Sequence, residues 1–357
     1  MRYEVRVFKG PIKWGARYRD FLHEKQKEAH DLVSGRDYPR DWDQFLDWFP
    51  DEAKCRQYLA SLRWPDGYFC PRCAAIGQPF QASGGRLICR HCRHQGTVTA
   101  GTIFEKTRTP LRTWLAAVWY VTNQKGGVSA LGLQRVLGMK SYQTAWAILH
   151  RLRHAMVRLT REPLSGTVEV DETFVAGPDP NRRPRSPSRR DQYAMPVAIA
   201  VEVRDPKGFG RVRLRRLTAP SASDLIHFVQ DVVQPGACVH TDGSAAYHTI
   251  AEFGYTHRRT VHLRSTRPPH QTMPAVHRVA ALLKRWLLGT HQGAVRAEHL
   301  DRYLDEFAFR FNRRASRSRG LLFYRLLEQA VATAPETYAA IISKPVKPQP
   351  VVVGGAK

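Results

Sequence analysis

Acidic residues are scarce in this chain. Only 31 Asp and Glu stand against 56 Lys and Arg among 357 residues, a formal charge of +25. An imbalance of that size exceeds incidental surface bias and points to a polyanionic partner, nucleic acid before any other. Long apolar runs are missing as well. No stretch reaches the length of a membrane span. Met1 to Pro11 carries Arg2, Glu4, Arg6 and Lys9 where a secretory leader has its apolar region. With no lipidation signal and no isolated basic amphipathic helix, no membrane partner is expected and the cytoplasm is the expected location. Cysteine is sparse too, with six residues. In a reducing compartment these do not build a disulfide framework. Four of them follow a metal-ligand pattern, leaving Cys55 and Cys238 as small apolar groups.

Cys70-Pro71-Arg72-Cys73 and Cys89-Arg90-His91-Cys92 form a C-x2-C-x15-C-x2-C pattern. Each pair can bite one edge of a tetrahedron, and the spacer is long enough for a hairpin turning at Gly84-Gly85. All four positions are thiolates, so the expected ion is a structural Zn²⁺ with no place for a catalytic water. Arg72, Arg86, Arg90 and Arg93 around the knuckle favour a nucleic-acid contact.

Helical spacing surrounds this knuckle. Phe45, Leu46 and Phe49, then Cys55, Tyr58, Leu59 and Leu62, predict two short helices before it. After it, Leu111, Trp114, Leu115, Val118 and Trp119 mark one helix face. Ser129 caps a second helix that Gly138 stops, and Ser141 caps a third carrying Trp146, Leu149 and Leu152. Three helices with a tight turn at Gly138 resemble a helix-turn-helix unit, the alternative being a helical spacer. Past Pro163 the pattern changes to β-branched runs at 167–175, 195–203, 211–217 and 237–241, with an amphipathic helix near 221–233. This predicts an α/β domain with a mixed sheet.

Within that domain Val168 to Val175 places Glu169 and Asp171 on one strand face and Glu172 on the other. A carboxylate inside a β-branched strand is costly to bury, so it serves either a salt bridge or a cation. A second strand ends in Asp242 before a Gly turn. Two carboxylates at the ends of neighbouring strands can bridge two divalent ions about 3.5–4 Å apart, the arrangement used in phosphoryl transfer. Ribonuclease-H-like nucleases are built this way and take a further ligand from a later helix. In that helix His277 and Lys284 are two turns apart on one face, with Arg285 on the neighbouring stripe. His277 reads either as a ligand or as a core histidine. The reserve acids Glu298, Asp301, Asp305 and Glu306 read as helix-surface charges. Asn181 to Arg190 adds a basic loop that includes Arg182, Arg183 and Arg185, suited to tracking a phosphate backbone.

The succession of the knuckle, the helical unit, VEVDETFVAG, HTDGSAAY, HRVAALLKRWLLGTHQGAV and YLDEFAFRFNRR resembles the DDE-type transposases of bacterial insertion sequences, in particular the ISXO-like group with an N-terminal zinc ribbon. The resemblance runs from about Trp42 to Arg314. It implies a ribonuclease-H-like catalytic core in which Asp171 and Asp242 match the first two acids. His277 matches the position where glutamate is usual, and Lys284 matches the basic residue that follows. A neutral imidazole there suits Mn²⁺ better than Mg²⁺. The implied activity is metal-dependent cleavage and strand transfer of double-stranded DNA, at element ends and target, by a homo-oligomer associated with the nucleoid. The alternatives are a non-catalytic zinc-ribbon regulator, an inactivated transposase that only binds ends, and an RNA-processing nuclease. The expected organisation is an N-terminal helical segment (1–62), a zinc ribbon (63–100), a helical DNA-binding unit (101–162), the ribonuclease-H-like core (163–315), and a C-terminal helix with a disordered tail (316–357).

Overall fold

The computed structural model of the protein describes residues 32–158, 161–176, 194–204, 208–261 and 268–343. Two short helices, α1 (Trp42–Trp48) and α2 (Glu52–Arg63), come first among the described residues. Asp41 and Asp51 cap them by accepting the backbone N–H groups of Gln44 and Lys54. Five short strands follow: β1 (Tyr68–Phe69) paired with β2 (Ile76–Gly77), then an antiparallel sheet of β3 (Phe80–Ala82), β4 (Arg86–Ile88) and β5 (Gln95–Thr97). The β3–β4 hairpin turns at Gly84 and Gly85, both at positive φ, where the spacer predicts the turn.

The three expected helices are α3 (Leu111–Asn123), α4 (Ala130–Val136) and α5 (Tyr142–Ala155). Ser129 and Ser141 are the caps, accepting from Gly132 and Thr144. α3 has no side-chain cap of its own. Glu52 of α2 supplies one, accepting the N–H groups of Leu111 and Arg112 at 2.9 Å each. α5 is not a freely presented helix. Ala145, Ile148, Leu149, His150, Leu152 and Arg153 are all buried, and only the first turn, with Tyr142 exposed, faces outward.

The second half of the chain builds a five-stranded sheet. β6 (Thr167–Ala176), β7 (Ala194–Val203) and β8 (Phe209–Arg216) form an antiparallel meander, and β9 (Cys238–Asp242) and β10 (Thr256–Thr260) lie parallel to β6 on its other side. The order is β10-β9-β6-β7-β8. Alternating residues of β6 and β7 feed two cores. Val168, Val170, Ala198 and Ala200 pack with Leu225, Phe228 and Val229 of α6 (Ala222–Val232). On the opposite face Val197, Ile199 and Val201 meet Val276, Val279 and Leu283 of α7 (Pro274–His291) and Leu304 and Phe307 of α8 (Leu300–Asn312).

The last helices return to the first half. α9 (Arg319–Ala332) inserts Phe323, Leu326, Leu327 and Ala330 into the core that holds Phe45, Phe49, Leu59 and Trp119, and α10 (Tyr338–Ile342) sets Tyr338 against Trp146. Gly320 is needed for this return, since a Cβ there would lie 2.1 Å from the Pro39 carbonyl oxygen. The expected C-terminal helix thus packs into the core of the helical unit. The expected disordered tail beyond Ser343 lies outside the described residues.

Charge locks the two halves together. Glu306 of α8 was expected on a helix surface, but it is 1 % exposed and bonded to Arg153 of α5 at 2.8 Å and to Arg310 at 2.7 Å. Burial opposes its charge, yet Arg310 and then Arg153 pull its carboxyl down to about 2. Arg310 also donates to the carbonyls of Gln124 and Val121 at the end of α3. Nearby, Thr290 donates to the Gly126 carbonyl, and Gly127 lies so close to Trp286 that a Cβ would sit 2.5 Å from Nε1.

Candidate active site and zinc centre

The four cysteines converge as their spacing predicts. The Sγ atoms of Cys70 and Cys92 are 3.6 Å apart, those of Cys73 and Cys89 are 3.7 Å apart, and all four lie within 4.8 Å of one another. A tetrahedron with Zn–S bonds of about 2.3 Å has edges of about 3.8 Å, so the set fits Zn²⁺. Matching knuckles shape each pair. Ala74 and Arg93 donate their N–H groups to the carbonyls of Cys70 and Cys89, and both take a left-handed φ, 59° and 60°. Cys70 and Cys89 are buried against Tyr68 and Val98. Burial raises the Cys73 thiol to about 12. It would raise Cys89 as well, but the backbone N–H groups of Cys92 and His91 bring that thiol down to about 7. On the outer surface Arg90 and Arg93 lie over the exposed ring of Phe80, at 4.5 and 5.3 Å from its centroid. That basic, aromatic face has the chemistry of a nucleic-acid contact.

The acidic site arises from register. β6 and β9 pair as Thr167 with Cys238, Val168 with Val239 and Glu169 with His240. The same offset brings Asp171 level with Asp242, where β9 ends. Val168, Val170 and Val239 belong to the α6 core, so Glu169, Asp171 and Asp242 occupy the other face, the one roofed by α7. Asp242 is oriented by the Ser244 N–H at 2.9 Å, and Asp171 by the Glu172 N–H at 2.9 Å. Burial, then Glu172, and further Asp242 and Glu169 push the Asp171 carboxyl up to about 7. Glu172 is also raised, mainly by burial, although the buried Tyr247 hydroxyl donates to it at 3.0 Å. Crowded carboxylates with raised pKa values in a low-dielectric setting fit a divalent cation, which would relieve their repulsion.

α7 begins over this face. Its own N-cap position, Met273, offers no side-chain bond, and Pro274 stands at N1. Glu169, 3 % exposed, accepts the Val276 N–H at 2.9 Å and so supplies the missing negative charge from β6. His277 is the next residue, half-buried in the first turn. Lys284 and Arg285 are exposed farther along the same helix, with Lys284 about 10 Å from His277 at 1.5 Å per residue. Among the described residues the four cysteines form a group whose ligand atoms all lie within 4.8 Å, while Asp171, Asp242 and His277 do not close to that distance. Arg182, Arg183 and Arg185 lie outside the described residues.

Two members of this neighbourhood escape a sequence reading. Glu169 is legible as sharing a face with Asp171, but its bond to α7 requires knowing that α7 lacks a cap and crosses β6. Tyr247 has only the helical turn after Asp242 as a signal. The other reserve acids are structural or unengaged at this site: Asp301 pairs with Arg216 at 3.6 Å and Glu298 with Arg296 at 3.9 Å.

Among the described residues no helix is long and apolar enough to cross a membrane. Residues 50–95 match the transposase zinc-ribbon domain and residues 163–312 match the ISXO2-like transposase domain. The chain is also 28% identical over 284 residues to an uncharacterized protein in transposable element ISH50 of Halobacterium salinarum, covering 73% of this chain and 91% of that relative. The matched domain implies a ribonuclease-H-like core, which agrees with the mixed five-stranded sheet. The chain thus carries an ISXO2-like transposase domain preceded by a transposase zinc-ribbon domain, with both aspartates inside the first matched segment and the cysteine cluster inside the second.

Proposed function

We propose that the protein binds the terminal inverted repeats of an insertion sequence and performs metal-dependent DNA strand cleavage and strand transfer. The observation that carries this reading is the alignment of Asp171 with Asp242 on neighbouring parallel strands, on the sheet face covered by the helix of His277. Asp171, Asp242 and His277 would hold two divalent ions, Mg²⁺ or Mn²⁺. Bound there, such ions supply activation of an oxygen nucleophile and stabilisation of the leaving oxygen in an in-line displacement.

The chain's own residues do the rest. The N–H groups of Glu172 and Ser244 fix the carboxylates of Asp171 and Asp242, so little reorganisation accompanies loading. Glu169 sets the position of α7 and with it His277. Lys284 and Arg285 neutralise phosphates along the same helix, and Arg182, Arg183 and Arg185, which lie outside the described residues, add positive charge in the sequence for the same role. The zinc ribbon, through Arg90, Arg93 and Phe80, and the exposed first turn of α5 are the surfaces offered to the element ends. Synapsis of two ends requires at least two copies of the chain.

Nicking of DNA that contains an element end tests the reading. Intact protein should nick such DNA in Mn²⁺ or Mg²⁺, and Asp171→Asn and Asp242→Asn should abolish nicking while retaining end binding. Binding without nicking by the intact protein would leave an end-binding protein only, and cleavage confined to structured RNA would replace DNA as substrate.

A further inference from the structure

A cavity of about 320 Å³ lies between the end of α5 and the edge strand β8. Five arginines line it: Arg158, Arg161, Arg211, Arg213 and Arg313. Two acids share the lining, Glu162 and Asp305, and they do not balance it. Glu162 meets Arg211, which already holds Glu202 at 2.6 Å. Asp305 is pushed up to about 7 by burial, which weakens its negative charge near neutrality.

The deeper arginines are tied to main-chain carbonyls instead of carboxylates. Arg213, 7 % exposed, donates to the carbonyls of Val212 at 3.1 Å and Glu162 at 2.7 Å. Arg313 donates to the Phe309 carbonyl at 3.3 Å and lies over the Phe309 ring. A carbonyl satisfies an N–H but cancels no net charge. Burial, with neighbouring arginines adding to it, lowers Arg213 to about 10 and Arg313 to about 9. Confined like charges of this kind are costly until an anion joins them.

Phe309 and Arg313 also line a second cavity, of about 480 Å³, between the α3–α4 loop, α7 and α8. Lys125, Arg285, Arg314 and Arg319 contribute to its lining, which contains no acid. The cationic surface therefore continues from the end of α5 to Arg285, beside Lys284, on the helix that carries His277.

We propose that these two cavities form one track for the sugar–phosphate backbone of DNA, running along the seam between the helical unit and the sheet domain from Arg158 to Arg285. The proposal rests on reading the protein as a DNA-processing transposase. Its chemistry is that of phosphodiester neutralisation, so contacts along it are independent of base sequence.

The test uses full-length, zinc-loaded protein and a duplex carrying an element end, with affinity measured across salt concentrations. Arg158→Gln, Arg213→Gln and Arg313→Gln should each reduce the slope of log K against log salt by about 0.9. Arg158 is exposed, so its variant reports on the track without involving the fold. Three variants with the slope of an intact protein that binds DNA would overturn the track and leave the transposase reading standing. Absence of DNA binding by the intact protein would remove both. If tripolyphosphate raises the thermal midpoint of intact protein, duplex DNA does not, and Arg213→Gln loses the response, the occupant is a small free anion and the track is overturned.

Discussion

The carboxylate of Glu169 accepts the Val276 backbone N–H at 2.9 Å, so the strand that carries Asp171 also anchors the helix that carries His277. Replacing Glu169 with alanine leaves buried N–H groups at the start of α7 without an acceptor. A loss of about 1–3 kcal/mol is expected, together with reduced nicking, and Glu169→Gln should lose less of both. Urea midpoints and nicking rates measure the two effects. Unchanged values in Glu169→Ala would show that α7 holds its place by packing alone.

His277 brings one fewer negative charge to the site than a glutamate. Nicking should therefore be faster with Mn²⁺ than with Mg²⁺, and His277→Glu should shift the preference toward Mg²⁺. Rates that are equal with the two ions, combined with full activity of His277→Ala, would take His277 out of the ligand set.

One zinc per chain is expected. Chelation, or Cys89→Ser, should unfold the ribbon, whose short strands bury little besides Tyr68, Val98 and the thiolates. Metal analysis coupled to the fluorescence of Trp64, stacked edge-on against Tyr68 at 4.9 Å, follows the loss. A ribbon that keeps its fluorescence and protease resistance without zinc would contradict the assignment of a structural ion.

Glu306 sits between two arginines, so the two sides of its ion pair are not equivalent. Glu306→Gln strands Arg153 and Arg310 together in the interior and should cost about 3–5 kcal/mol. Arg153→Met leaves Arg310 to neutralise Glu306 and should cost less. Chemical denaturation of the two variants gives the ranking, and the reverse order would mean that Arg310 does not share the charge.

Two histidines predict the acid limb of stability. Burial, with Arg153 next, lowers His150 to about 2 and His291 to about 4. Both are neutral when folded, while the unfolded chain takes up protons below its ordinary histidine pKa of about 6.5. Stability is thus fully present above about pH 6.5. It falls on acidification by about 1.4 kcal/mol per pH unit for each histidine, the His291 contribution ending near pH 4. His150→Phe should flatten that limb by one proton, and an unchanged slope would mean that His150 titrates freely in the folded protein.

The sequence exposes what depends on local spacing. The cysteine pairs, the serine caps at Ser129 and Ser141, and the β-branched runs are each set by contacts a few residues apart, and all sit where their patterns place them. The level positions of Asp171 and Asp242 follow from strand register, which no local pattern encodes. The placement of α5 is also non-local. Its Ser141 cap and apolar stripe are legible as a helix of a helix-turn-helix-like unit or of a spacer, whereas Arg153 and His150 on its polar stripe are buried by α8 and α9 from far along the chain. Glu306 is buried and not on the helix surface for the same reason, because the arginine that holds it inside belongs to another segment.

Phe323 of α9 stands among Phe45, Phe49 and Trp119, so the interior of the helical unit is finished by a segment that follows the entire sheet domain in chain order. During synthesis that aromatic interior stays open until the ribosome has released Ala332. A message cut short before Arg319 therefore yields polypeptides with an unfinished helical unit, prone to aggregate through the exposed rings.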